Sequence, residues 1–63
     1  MTPMQEIGLL DRRWAELKRG VSILKKVHDE MNDGPDKIAV ETTMRVLEDE
    51  ARKVEERTAS IVT

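Results

Sequence analysis

Asn32-Asp33-Gly34-Pro35-Asp36 is the stretch on which the fold turns. Two long helical patterns run up to it from either side and neither crosses it. Gly34 suits a left-handed helix C-cap, and Pro35 cannot continue a first helix but can open a second. Asp36 then falls in the first turn of that second helix, where the backbone dipole favours negative charge. Upstream, apolar or core-type residues recur at Ile7, Leu10, Trp14, Leu17, Val21, Leu24, His28 and Met31, spaced alternately three and four apart. This is a heptad with a at 7, 14, 21 and 28 and d at 10, 17, 24 and 31. Downstream the spacing resumes at Val40, Met44, Leu47, Ala51, Val54, Thr58 and Ile61.

The chain start carries its own helix signal. Thr2-Pro3-Met4-Gln5 has capping-box spacing, with Pro3 at the first helical position and Glu6 in the first turn. The expected elements are a first helix over about 3–32, a turn at 33–35 and a second helix over about 36–61, all in one domain spanning 1–63. A short Gly-Pro turn between two such helices favours an antiparallel hairpin. In that hairpin facing seam residues share a constant sum of position numbers. His28–Val40, Leu24–Met44, Val21–Leu47, Leu17–Ala51, Trp14–Val54, Leu10–Thr58 and Ile7–Ile61 all give 68.

The edges of the seam differ in character. Along the e positions Lys25 faces Glu41 and Lys18 faces Glu48, opposite in sign, while Asp11 and Glu55 are like-signed. Along the g positions Val27 faces Thr43, Gly20 faces Glu50 and Arg13 faces Arg57, so that edge is apolar or mismatched. Burial of one seam at about 25 cal/mol per Å² is set against about 1.5 kcal/mol of ordering entropy per residue. The expected remedy is a second hairpin on the open edge, which makes the fold class all-α: an antiparallel two-helix hairpin dimerising into a four-helix bundle. Gly20 then marks a close approach, because glycine inside a helix otherwise costs about 1 kcal/mol against alanine. The candidate interface comprises Leu9, Trp14, Gly20, Ile23, Val27, Ala39, Thr43 and Val46.

Composition narrows the chemistry. The 63 residues are 38% charged and 38% hydrophobic, with a net charge of -2, a single aromatic residue and no cysteine. That balance is too apolar for ordinary disorder. No apolar run approaches the roughly 18 residues that a membrane span needs, so no membrane partner is expected. The lack of cysteine removes disulfides, thiolate metal sites and thiol nucleophiles, and fits a cytoplasmic location. His28 is the only histidine, without a second imidazole to share a metal, and is expected to be a partly exposed structural residue near the turn. Glu48, Asp49, Glu50, Glu55 and Glu56 alternate with Arg45, Arg52, Lys53 and Arg57, the pattern of a solvated, salt-bridged face rather than a catalytic carboxylate pair. Ser22 and Ser60 have no plausible base. No enzyme activity, metal or cofactor is expected.

A basic ridge remains. Arg12, Arg19 and Lys26 recur at the outward f positions, about 10.5 Å apart along the axis, and could meet nucleic-acid phosphates. Against this stand the acidic second helix, the absence of exposed aromatic residues for base stacking, and a pI of about 5.3.

In size and architecture the chain resembles the Rop family of small plasmid copy-number regulators, whose helical hairpins dimerise and bind RNA loops. It is also similar in build to the small hairpin co-chaperones of type III secretion, which hold a partner's helix. Both similarities rest on architecture and supply no site residues. The expected function is a non-catalytic protein–protein interaction module, a small regulator or chaperone-like adaptor acting on a helical protein partner. The alternative is a dimeric RNA-binding regulator that uses the ridge.

Overall fold

A computed structural model describes residues 1–62 of the chain; Thr63, at the end of the tail, lies outside them. Two helices, α1 (Pro3–Glu30) and α2 (Pro35–Val62), account for nearly all of it, with no strand among the described residues. They fold back on each other as a hairpin with Cα extents of 46 × 15 × 14 Å, little longer than the ~42 Å of one 28-residue helix at about 1.5 Å per residue.

α1 starts where the capping box puts it. The Gln5 amide donates to Thr2 Oγ1 at 3.2 Å and the Thr2 amide donates to Gln5 Oε1 at 2.9 Å. Two of the helix's orphan amides are thereby satisfied reciprocally. Its other end differs from expectation. α1 stops at Glu30, two residues early, because Met31 turns extended (φ -84°, ψ 146°) and its amide closes a tight turn onto the His28 carbonyl at 3.2 Å.

Gly34 is not the left-handed C-cap that its type suggests, since no glycine has a positive φ. It stands instead just before α2, where its carbonyl accepts from the Ile38 amide at 3.2 Å. The reason lies in its neighbour. A proline ring crowds the preceding residue and pushes it toward extended backbone, so Pro35 sets the conformation of residue 34 and opens α2 at once. Gly34→Ala is therefore expected to leave the melting temperature unchanged or slightly raised, because the unfolded chain loses freedom and no strain is introduced. A left-handed residue would instead lose about 1 kcal/mol or more, visible as a lower thermal midpoint.

The seam runs the length of the hairpin. Every a and d residue from Ile7 to Ile61 is half-buried or buried, and full burial is confined to Ala51 (2% exposed) and Val54 (7% exposed). Two long-range side-chain contacts fix orientation and register. The Trp14 indole N–H donates to Glu55 Oε1 at 2.8 Å, and His28 Nε2 lies 2.8 Å from Glu41 Oε1. As the first partner moves two heptads along α1, the second moves two heptads back along α2. That is an antiparallel pair without slippage, in the register of the constant-sum rule.

A candidate interaction surface

The two edges of the seam are not as the charge pattern foretold. On the e edge no ion pair joins Lys25 to Glu41 or Lys18 to Glu48 among the described residues. Two of the e-edge carboxylates are taken instead by rings from the a layer: Glu55 by Trp14 and Glu41 by His28. A short, rigid ring on the seam reaches a flanking carboxylate without ordering a long lysine stem, whose immobilisation carries an entropy cost. Lys18 lies with its ammonium 5.8 Å from the centroid of the Trp14 ring, within cation–π range. His28 is also flanked by Asp29, whose Oδ1 is 3.7 Å from Nδ1, although heptad position assigns Asp29 to another face.

On the g edge the expected Arg13–Arg57 mismatch is relieved. Arg57 pairs with Glu6 at 2.7 Å and Arg13 with Glu50 at 3.6 Å. Each guanidinium swings along the axis to a carboxylate on the neighbouring heptad, a reach that arginine's long stem allows. The outer face of α2 is a local network in which Arg52 bridges Asp49 and Glu56, and Lys53 reaches Asp49 and Glu50 at 3.4 and 3.6 Å. The Lys53 ammonium is held above its usual range by its hydrogen bond to Asp49 and then by the charge of Glu50.

The interface candidates separate into two places. Gly20, Ile23, Val27, Ala39, Thr43 and Val46 occupy the c and g positions of the two helices on the half of the flank nearer the turn. Ile23, Val27 and Val46 are 56%, 45% and 55% exposed, large apolar groups left to solvent. Thr43 adds to this apolar character, since its hydroxyl donates to the Ala39 carbonyl at 3.0 Å and only its methyl remains for a neighbour. Gly20 is half-buried. A Cβ there would meet Leu47 Cδ1 at 3.4 Å, an ordinary contact, so packing within the hairpin does not demand glycine.

Leu9 and Trp14 lie elsewhere. Leu9 is on the same flank but near the open end, beside Met1, Gln5 and Arg12. Trp14 lines a groove of about 480 Å³ on the opposite edge with Met4, Ile7, Gly8, Val54 and Thr58. The sequence reading missed this groove. Its signal was Gly8, one turn from Met4 and with no atom within 4 Å of where a Cβ would stand. Ile38 and Val62, exposed at 63% and 65%, are likewise outside the candidate set.

The basic ridge stands as its spacing implies. Arg12, Arg19 and Lys26 are exposed and join no ion pair among the described residues. No charged or polar side chain is buried among the described residues, and none of their His, Asp or Glu groups assembles three or more ligands for a metal. No helix is long and apolar enough to cross a membrane. In comparisons with protein-family models, curated proteins and solved structures, none matches this chain.

Proposed function

We propose that the hairpin is a non-catalytic interaction module, a small helical regulator or chaperone-like adaptor that acts through the apolar flank of Ile23, Val27 and Val46. The observation that carries this reading is the placement of those residues. Three large side chains, all half-exposed or nearly so, stand on one flank of the two helices, beside a seam whose buried members among the described residues are Ala51 and Val54. Large apolar side chains exposed along one flank are a mark of a partner site. Every carboxylate among the described residues lies in solvent or in partly exposed pairs. Action in the cytoplasm and pairing into a four-helix bundle belong to the same reading.

The test is placement of a photo-crosslinking side chain at Ile23 in one variant and at Ile38 in another, followed by irradiation in the native host. Protein adducts from position 23 in large excess over position 38 support the reading. Equal yields from the two positions overturn it, as does exclusive attachment to nucleic acid at position 23.

The second reading, RNA binding by the ridge, is favoured by one feature: six cations against the single carboxylate Glu16 between Arg12 and Lys26. The triple variant Arg12→Gln, Arg19→Gln, Lys26→Gln discriminates the two. On the interaction reading it keeps its adducts at position 23 and its association state. If the ridge binds RNA, the variant loses a salt-sensitive affinity whose slope against log salt falls by about 0.7 per phosphate contact removed, measured by filter binding or fluorescence anisotropy.

A further inference from the structure

The apolar flank is half of a longer surface that complements itself. Toward the open end the same c positions carry charge: Glu16 on α1, which joins no ion pair among the described residues, and Lys53 on α2, whose present partners Asp49 and Glu50 belong to its own helix. On either helix an apolar c residue nearer the turn (Ile23, Val46) is followed by a charged one beyond it, with Glu16 and Lys53 at the same height and Leu9 past Glu16 at the open end. Ile23 and Val46 are also level with each other, since both pairs of position numbers give 69.

From this we infer that the flank is occupied by a second copy of this chain, related by a two-fold axis parallel to the hairpin's long axis, with both turns at the same end. This specifies the partner in the interaction reading above and rests on it. In that arrangement α1 of one copy lies antiparallel to α2 of the other at the height it already has against its own α2. Ile23 of one copy meets Val46 of the other, Val27 meets Ala39 and Thr43, and Glu16 meets Lys53. Symmetry makes each contact twice. Adjacent helices run antiparallel all round, which opposes their dipoles favourably.

Area favours the same arrangement. Overlap along the whole 46 Å length of the hairpin engages the apolar and the charged halves of the flank together, as the ~800 Å² per partner of a stable interface requires of so small a chain. A two-fold axis perpendicular to the hairpin, centred on the apolar half, would leave the charged half of each copy projecting past its partner's turn. It would also leave Glu16 and Lys53 without each other. Gly20 lies in the middle of the proposed contact, where a missing side chain lets the backbones approach.

Sedimentation equilibrium of the full chain across micromolar concentrations tests this. The expected species is a dimer, which Ile23→Glu weakens by about 100-fold or more through a carboxylate facing apolar surface. Glu16→Lys sets like charges against Lys53 at two places and is expected to weaken the dimer by about tenfold, with Lys53→Glu in the same chain restoring it. The charge swap keeps the test decisive if Ile23→Glu fails to fold. A folded monomer at every concentration overturns the second copy as occupant, and so does a dimer in which Lys53→Glu does not rescue Glu16→Lys. Either outcome leaves the photo-crosslink at position 23 as a separate measure of whether the flank holds another protein.

Discussion

Val54→Asp is expected to unfold the hairpin, whereas Ile38→Asp, an equal change in charge and a similar change in volume, is expected to leave it folded. The difference is position. Val54 is 7% exposed at the most enclosed level of the seam, next to Ala51 at 2%, and it borders the Trp14 ring in the groove wall. A carboxylate there must either lose its hydration or push the helices apart. The resulting cost of about 3 kcal/mol or more is a large part of the stability a small domain has. Ile38 is 63% exposed in the first turn of α2, where a carboxylate is welcomed by the helix dipole and the change should stay within about 0.5 kcal/mol. Far-UV circular dichroism during thermal melting separates the two. A Val54→Asp protein that melts near the parent temperature would mean that the seam does not hold the helices together.

That seam was legible because it depends on little beyond backbone geometry. A residue at every third or fourth position must fall on one stripe of a helix. All of the a and d positions found by spacing, from Ile7 to Ile61, are indeed half-buried or buried. The register was legible for a related reason. A short turn fixes which levels face each other, and Trp14–Glu55 with His28–Glu41 lie one residue from the constant-sum diagonal.

What spacing could not give is where long or polar side chains go once two neighbours compete for them. Glu41 had Lys25 opposite but is taken by His28, and Glu55 had a like-signed neighbour but accepts from Trp14. Arg13 and Arg57 each chose a carboxylate a heptad away over their nominal opposite. Heptad letters place Cβ atoms to within a few ångströms, while arginine and lysine heads roam farther than that, and rings on the seam have donors that letters do not encode. Gly34 failed for a different reason. Its residue type permits left-handed backbone, but the conformation was dictated by Pro35. Ile23, Val27 and Val46 stand exposed at c and g positions, which follow from the same periodicity as the seam. The groove at Trp14 was missed because it is made by an absence, the side chain that Gly8 lacks.

Substitutions at Trp14 are expected to show how much of the open end that ring holds. Trp14→Ala removes its seam contact with Val54, the hydrogen bond to Glu55 and the face presented to Lys18, and should cost about 3 kcal/mol. Trp14→Phe keeps a ring on the seam but no N–H, so the cost should fall to about 1 kcal/mol. The hydrogen bond predicts more than a smaller number. Once Trp14→Phe is in place, a further Glu55→Ala should cost almost nothing, whereas in the parent chain Glu55→Ala alone costs about as much as the lost N–H, giving a coupling of about 1 kcal/mol in a double-mutant cycle. Zero coupling would reduce Trp14 to simple packing. The same variants also test the location of the partner surface, because the Trp14 groove and the Ile23–Val46 flank lie on opposite edges of the seam. If the flank is the docking face, folded Trp14→Phe associates as the parent does. Loss of association in a Trp14→Phe protein that still melts cooperatively would move the docking face to the groove, and with it the reading of what Ile23, Val27 and Val46 are for.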